Sequence, residues 1–166
     1  DPIEMAEKYG ADALRMGIIW GALVENDIAL SEENIRGQRN FANKIWNVAR
    51  FVLMEPKGKR VKRNEDDNSI VSELRSTAKK VSRLLDKYRL NEAAEEIYDF
   101  VWHKFADIYI EKTKTRRAEA QKTLEFVLQE SLKLLHPFMP FVTEKIWQEG
   151  KERFDSPILI NASWSA

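Results

Sequence analysis

In the stretch RNFANKIWNVARFVL, residues 39–53, apolar side chains return every three or four positions. At about 100° per residue, Ile45, Val48 and Val52 fall within about 40° of Phe41, and Ala42, Trp46, Ala49 and Leu53 widen the arc on one flank. Asn40, Asn43, Lys44, Asn47 and Arg50 take the opposite arc. The pattern predicts an amphipathic helix. Ser31 caps it, Glu32 and Glu33 suit its first turn through the helix dipole, and Pro56 stops it after about Met54. Phe51 breaks the pattern, because it lies among the amides and cations.

The same periodicity predicts the rest of the chain. Asp1, Pro2 and Glu4 form a helix start, with Gly10 as the stop. A second short helix carries ADALRMGIIWGAL, and residues 21–31 read as irregular, with Asn26 and Asp27 as turn formers. Ser69 opens a helix whose stripe is Leu74, Ala78, Val81, Leu85 and Tyr88. Asn91 caps the next, with stripe Ala94, Ile97, Val101, Phe105 and Ile108. After the basic stretch KTKTRR, Leu124, Val127, Leu128, Ser131, Leu134 and Leu135 mark another. Pro137 and Pro140 bracket a corner before a last short helix, FVTEKIWQ. The final ILINASWSA is strand-like but has no evident partner strand. The expected fold is an all-α bundle of about five or six helices, one domain over residues 1–166, with a short strand-like C-terminal tail.

Between the helices, residues 55–68, EPKGKRVKRNEDDN, hold almost no apolar side chain and read as a mobile charged loop, basic first and acidic after. Over the whole chain the 27 Lys and Arg balance the 27 Asp and Glu. Any polyanion must therefore meet a local patch. Hydrophobic residues make up 43%, enough for a sizeable core, and the absence of Cys excludes disulfides and thiolate metal sites. No apolar run reaches the roughly 18–20 residues that span a bilayer. The first and last residues read as cut from something longer, with residues 157–164 starting a following segment.

The chain carries little that catalyses. His103 and His136 are the two histidines. A carboxylate-bridged metal pair in a bundle needs Glu-x-x-His, but Phe100 and Lys133 stand three residues before them. There is no Gly-rich phosphate loop and no nucleophile elbow. No metal site and no catalytic residue is assigned.

Phe51 has two readings. It packs under a neighbouring helix or the following loop, or it is a stacking platform for an unpaired base, with nearby cations on the phosphates. The loop cations Lys57, Lys59, Arg60, Lys62 and Arg63 are likewise either solvated or a second phosphate contact.

Several blocks carry a family resemblance. DPIEMAEKYGADALRMGIIWG, with Asp12-Ala13-Leu14-Arg15 matching a DALR signature, resembles the segment after the KMSKS loop of class I aminoacyl-tRNA synthetases. RNFANKIWNVARFVL is similar to the valyl branch. NEAAEEIYDFVWHKFADIYIE, LLHPFMPFVTEKIWQ and ILINASW resemble later blocks in the same order. Only residues 55–68 and about 111–123 are free of the likeness, and the leucyl and isoleucyl branches share the architecture.

The resemblance implies an anticodon-binding domain whose partners are the tRNA(Val) anticodon stem-loop and a catalytic domain in cis. The HIGH and KMSKS signatures are absent from these residues. ATP, Mg and the formation of valyl-tRNA, in the cytoplasm, would belong to the parent enzyme, with no cofactor in residues 1–166. Carried over by position, Phe51 would stack on an anticodon base and Lys44 and Arg50 would contact phosphates or base edges. Asn43 and Asn47 are supporting candidates, and Arg39, Lys57, Lys59 and Arg60 are further phosphate candidates. Glu33 is acidic where some valyl relatives are basic. Asp12 and Arg15 either fix the first helices at the domain junction or form an (i, i+3) ion pair. A helical protein-interaction module is the alternative from another class.

Overall fold

The computed structural model describes residues 1–21 and 31–164. The expected irregular segment and its Asn26–Asp27 turn lie outside the described residues. Eight α-helices follow in order: α1 Pro2–Tyr9, α2 Ala11–Gly21, α3 Glu32–Leu53, α4 Glu65–Asp86, α5 Leu90–Asp99, α6 Ile110–Thr113, α7 Arg117–Leu135 and α8 Pro140–Gly150. A π-helical segment, Phe100–Tyr109, joins α5 to α6 without interruption, so the two read as one rod. The long members are α3, α4, this rod and α7, and the all-α bundle expected from the pattern is what forms.

Local chemistry explains most helix ends. Asp1 accepts from the Ile3 amide at 2.9 Å, and Gly10 ends α1 at φ 93°, a conformation that favours glycine. Ser31 caps α3 through the Asn34 amide at 3.1 Å. The expected start of α4 at Ser69 is corrected. Asn64 is its cap, in a reciprocal capping box with Asp67, so the charged stretch ends four residues sooner. Asn91 does not cap α5. The helix begins at Leu90 behind Arg89, which pairs with Glu92 instead. Tyr88 lies outside α4 at φ 57° with its ring exposed, so the α4 stripe closes on Leu84.

The core is continuous from α2 to α8 and includes Phe41, Ile45, Leu74, Ile97, Phe105, Leu128, Phe138 and Trp147, each 2% exposed or less. Burying one such side chain contributes about 1.5–3 kcal/mol. The expected strand-like tail is corrected as well. Leu159–Asn161 form a 3-10 turn, Leu159 is buried, and its amide donates to Glu144 Oε2 at 3.0 Å. The Trp147 indole donates to Ser156 O at 2.7 Å. With no strand beside it among the described residues, the tail meets its backbone needs against α8. Among the described residues no helix is long and apolar enough to cross a membrane.

Candidate nucleic-acid interface

Helix α3 buries Phe41, Ile45, Val48, Ala49 and Val52 and leaves Asn43, Asn47 and Arg50 in solvent. Among the described residues these three make no ion pair or side-chain hydrogen bond, and all three side chains are exposed. The C-terminal end of the helix is held from three sides. The carbonyls of Phe51, Val52 and Leu53 accept from the side chains of Arg117, Gln121 (2.7 Å) and Arg153 (3.0 Å). The last carbonyls of a helix lack intrahelical partners. Three long side chains supply them here and fix the backbone that carries Phe51.

The bare ring that the sequence suggests is corrected. Phe51 is half-buried against the core, and the Arg117 guanidinium lies 3.6 Å from its ring centroid. Lys44 is not free either. Its ammonium bonds Asp107 on the π-helical segment at 2.7 Å and sits 5.1 Å from the Trp102 ring. That ammonium, above all, holds the Asp107 carboxyl below the usual carboxylate range. Trp102 in turn stacks on Tyr98, with centroids 5.4 Å apart, and on Phe41 at 6.1 Å.

The helix angle divides the candidates. Lys44 and Phe51 lie about 20° apart with Asn47 about 40° from Phe51, whereas Arg50 is about 100° round the axis. Arg50 lines a concavity of about 430 Å³ with Trp46, Leu53, Met54, Ile146 and Glu149. One line therefore holds Phe51, Lys44 and Asn47, and Arg50 looks the other way.

Most of the remaining predicted residues have intramolecular partners. Asp12 is buried and accepts from the Phe141 and Val142 amides at 3.2 and 2.6 Å, at the first turn of α8, where a carboxylate meets free N–H groups. Arg15 donates to Pro137 O at 3.2 Å. Both tie α2 to the α7–α8 corner, and the ion pair between them does not form. Arg39 donates to Lys8 O at 3.1 Å and so serves the end of α1. Lys57 donates to Glu152 O at 3.2 Å, while Lys59 and Arg60 are exposed. His103 lies 3.5 Å from Asp107, and His136 meets Thr143 at 2.9 Å, its ring pKa lowered by burial.

Pattern reading missed Arg117, Asp107 and Trp102. The first falls in a stretch noted only as basic, and the other two sit on the rod, whose π turns hid which of its residues reach α3.

The all-helical bundle thus offers solvent a polar edge of one of its longest helices, with an aromatic ring at the end. Residues 67–166 match the family described as the anticodon-binding domain of tRNA ligase. The chain is 43% identical over 164 residues to the valine–tRNA ligase of Symbiobacterium thermophilum and 38% identical over 175 residues to that of Aquifex aeolicus. Each match takes in 90% of this chain, but only 18% and 15% of the relatives, so the chain spans under a fifth of their length. Among solved structures it is similar to the agnB2 LeuRS of Agrobacterium radiobacter K84 in a ternary complex with tRNA and LeuAMS (TM-score 0.79, 19% identity, 99% of this chain and 20% of that one). It is also similar to free methionyl-tRNA synthetase of Mycobacterium tuberculosis (TM-score 0.74, 20% identity, 89% and 34%). The chain belongs to the family of anticodon-binding domains of tRNA ligases.

Proposed function

We propose that this domain reads the anticodon of tRNA(Val) for a valine–tRNA ligase. The observation that carries the reading is the solvent edge of α3, where exposed Asn43, Asn47 and Arg50, without partners among the described residues, stand beside the fixed ring of Phe51. Amides offer both donors and acceptors to base edges, and an aromatic face holds a splayed base in single-stranded loops. Lys44 reaches phosphate by exchanging Asp107 for it. Arg50 works from the other flank of α3, so the loop straddles the helix. Arg39, Lys57, Lys59 and Arg60 are phosphate contacts of the same complex, and Asp12 and Arg15 support the junction with a catalytic domain in cis. ATP, Mg and valine are handled by that domain in the cytoplasm, and residues 1–166 hold no cofactor of their own.

The test is binding of the chain to a labelled anticodon stem-loop of valine type and to the same stem with an unrelated anticodon, over a range of salt. The reading expects tighter binding of the valine type and an affinity that falls steeply as salt rises. Equal affinity for both loops overturns it.

A further inference from the structure

The stretch after α3 carries five cations within seven residues, Lys57, Lys59, Arg60, Lys62 and Arg63. Among the described residues none of them joins an ion pair, although thirteen other cations do. Of the three acids that follow, Asp66 and Asp67 are engaged by Lys112 and Arg116, which leaves Glu65 alone against five cations. A net charge of zero therefore coexists with a local excess of positive charge.

The stretch is also built onto the bundle. The Gly58 amide donates to Glu125 Oε1 at 2.9 Å, and Glu125 is buried, with Arg153 Nη1 on the same oxygen at 3.0 Å. Gly58 approaches α7 so closely that a Cβ there would lie 2.4 Å from Lys122 N and 2.7 Å from Lys122 Cα. Only glycine fits that distance. The anchored backbone then encloses a concavity of about 620 Å³ against α7, whose charged lining is Arg60, Lys62, Arg63 and Lys122, with no acid among the lining residues. Lys122 keeps a distant partner, Glu125 at 3.8 Å, and the Arg63 guanidinium rests 5.6 Å from the Phe126 ring.

This concavity shares Val61 with a second one of about 420 Å³, whose charged lining is Lys57, Lys59, Glu55, Glu119 and Arg117, the residue stacked on Phe51. A strand that brought an unpaired base to Phe51 would continue into its paired stem along this surface. Closely spaced phosphates match four cations round one hollow, and positively charged side chains hold phosphates without reading bases.

We infer that Arg60, Lys62, Arg63 and Lys122 form a preset seat for the sugar–phosphate backbone of an RNA stem, positioned by Gly58. The inference rests on the reading above that the chain binds RNA. It adds a place for the stem and a reason for the glycine.

The experiment measures binding of the chain to two labelled RNAs, the valine-type anticodon stem-loop and a blunt duplex of the same stem without the loop. R60Q/R63Q changes only surface side chains, and circular dichroism checks its folding. It is expected to weaken duplex binding about tenfold at low salt and to lower the salt slope by about 2. F51A is expected to weaken the stem-loop and leave the duplex unchanged. G58A, with every charge kept, is expected to weaken duplex binding as the stretch backs away from α7. Duplex affinity and slope unaltered in R60Q/R63Q overturn the seat, even where F51A still weakens the stem-loop. A stem-loop indifferent to F51A but sensitive to R60Q/R63Q overturns the α3 reading and leaves the seat standing. Binding of a polyglutamate peptide as tight as that of the duplex at equal salt overturns the RNA assignment.

Discussion

The guanidinium of Arg117, at the first turn of α7, lies 3.6 Å from the ring centroid of Phe51, near the last turn of α3, and also donates to the Phe51 carbonyl. One residue thus holds both the ring and the backbone beneath it. The ring has one face under a cation, and the other side is packed in part against the core. Stacking by a base must therefore use what remains of the ring or the guanidinium plane above it, and both are surfaces on which RNA bases stack. Phe51→Ala is expected to weaken the valine-type stem-loop by about 1–3 kcal/mol. Circular dichroism should stay helical, because the fully buried residues of α3, Phe41, Ile45 and Val52 among them, are untouched. Anisotropy titrations check the first point, and unchanged binding removes the ring from the interface.

Arg117→Ala separates support from stacking. It leaves the Phe51 carbonyl without its side-chain donor and the ring without its roof. The expected cost to stability is about 1 kcal/mol, the scale of one hydrogen bond. Arg117→Lys is expected to recover little of it, since an ammonium lacks the plane that lies on the ring. Thermal melts of the three proteins check this. A lysine variant as stable as the parent would show that charge alone suffices.

Lys44 and Asp107 are coupled at 2.7 Å. The proposed phosphate role requires that Lys44 leave Asp107, which costs part of the binding energy. Asp107→Asn is therefore expected to strengthen RNA binding a few-fold, and Lys44→Ala to weaken it and lower the salt slope by about 1. In the Lys44→Ala background, Asp107→Asn should have a much smaller effect, the sign of a coupled pair. If Asp107→Asn acts equally in both backgrounds, it works through net charge and not through Lys44.

Much of the bundle was legible because the apolar stripes repeat at helical spacing. Where the reading slipped, the local geometry shows why. At 3.6 residues per turn the stripe Ala94, Ile97, Val101, Phe105 continues to Ile108. In the π-helical segment the hydrogen bonds reach one residue further, so the inward position moves on to Tyr109. Tyr109 is 2% exposed and Ile108 is 53% exposed. On α3 the polar edge was read correctly, but not what would lean over it, because Arg117 is 66 residues away from Phe51. Long-range partners leave no periodic trace in the sequence. The displaced register makes its own test. Ile108→Ser is expected to change stability by less than about 0.5 kcal/mol, whereas Tyr109→Ala should cost about 3–5 kcal/mol. Chemical denaturation compares them, and a costly Ile108→Ser would place that residue in the core after all.

Asp67 links the start of α4 to the rod and to α7. It is 1% exposed and accepts from Tyr109 Oη at 2.5 Å, from Arg116 Nη2 at 2.5 Å and from the Asn64 amide at 3.1 Å. Burial by itself would raise its pKa, but the Arg116, Tyr109 and Asn64 donors outweigh burial and hold the carboxyl below its ordinary value of 3.8. Tyr109 moves the other way, with burial first and the neighbouring carboxylate second keeping its phenol protonated. A carboxyl whose folded pKa is depressed binds fewer protons in the native state than in the unfolded one. Its stabilisation is complete above the unfolded value and is lost as pH falls through the folded value. Melting curves of the parent should therefore drop below about pH 4, the ordinary range for this side chain. Asp67→Asn removes the charge that Arg116 needs in a buried site, so it should lower stability at pH 7 by about 2–3 kcal/mol. The variant should also lose part of the acid sensitivity, because the titrating group is gone. A variant whose melting temperature falls with acid as steeply as that of the parent would assign the acid sensitivity to other carboxylates.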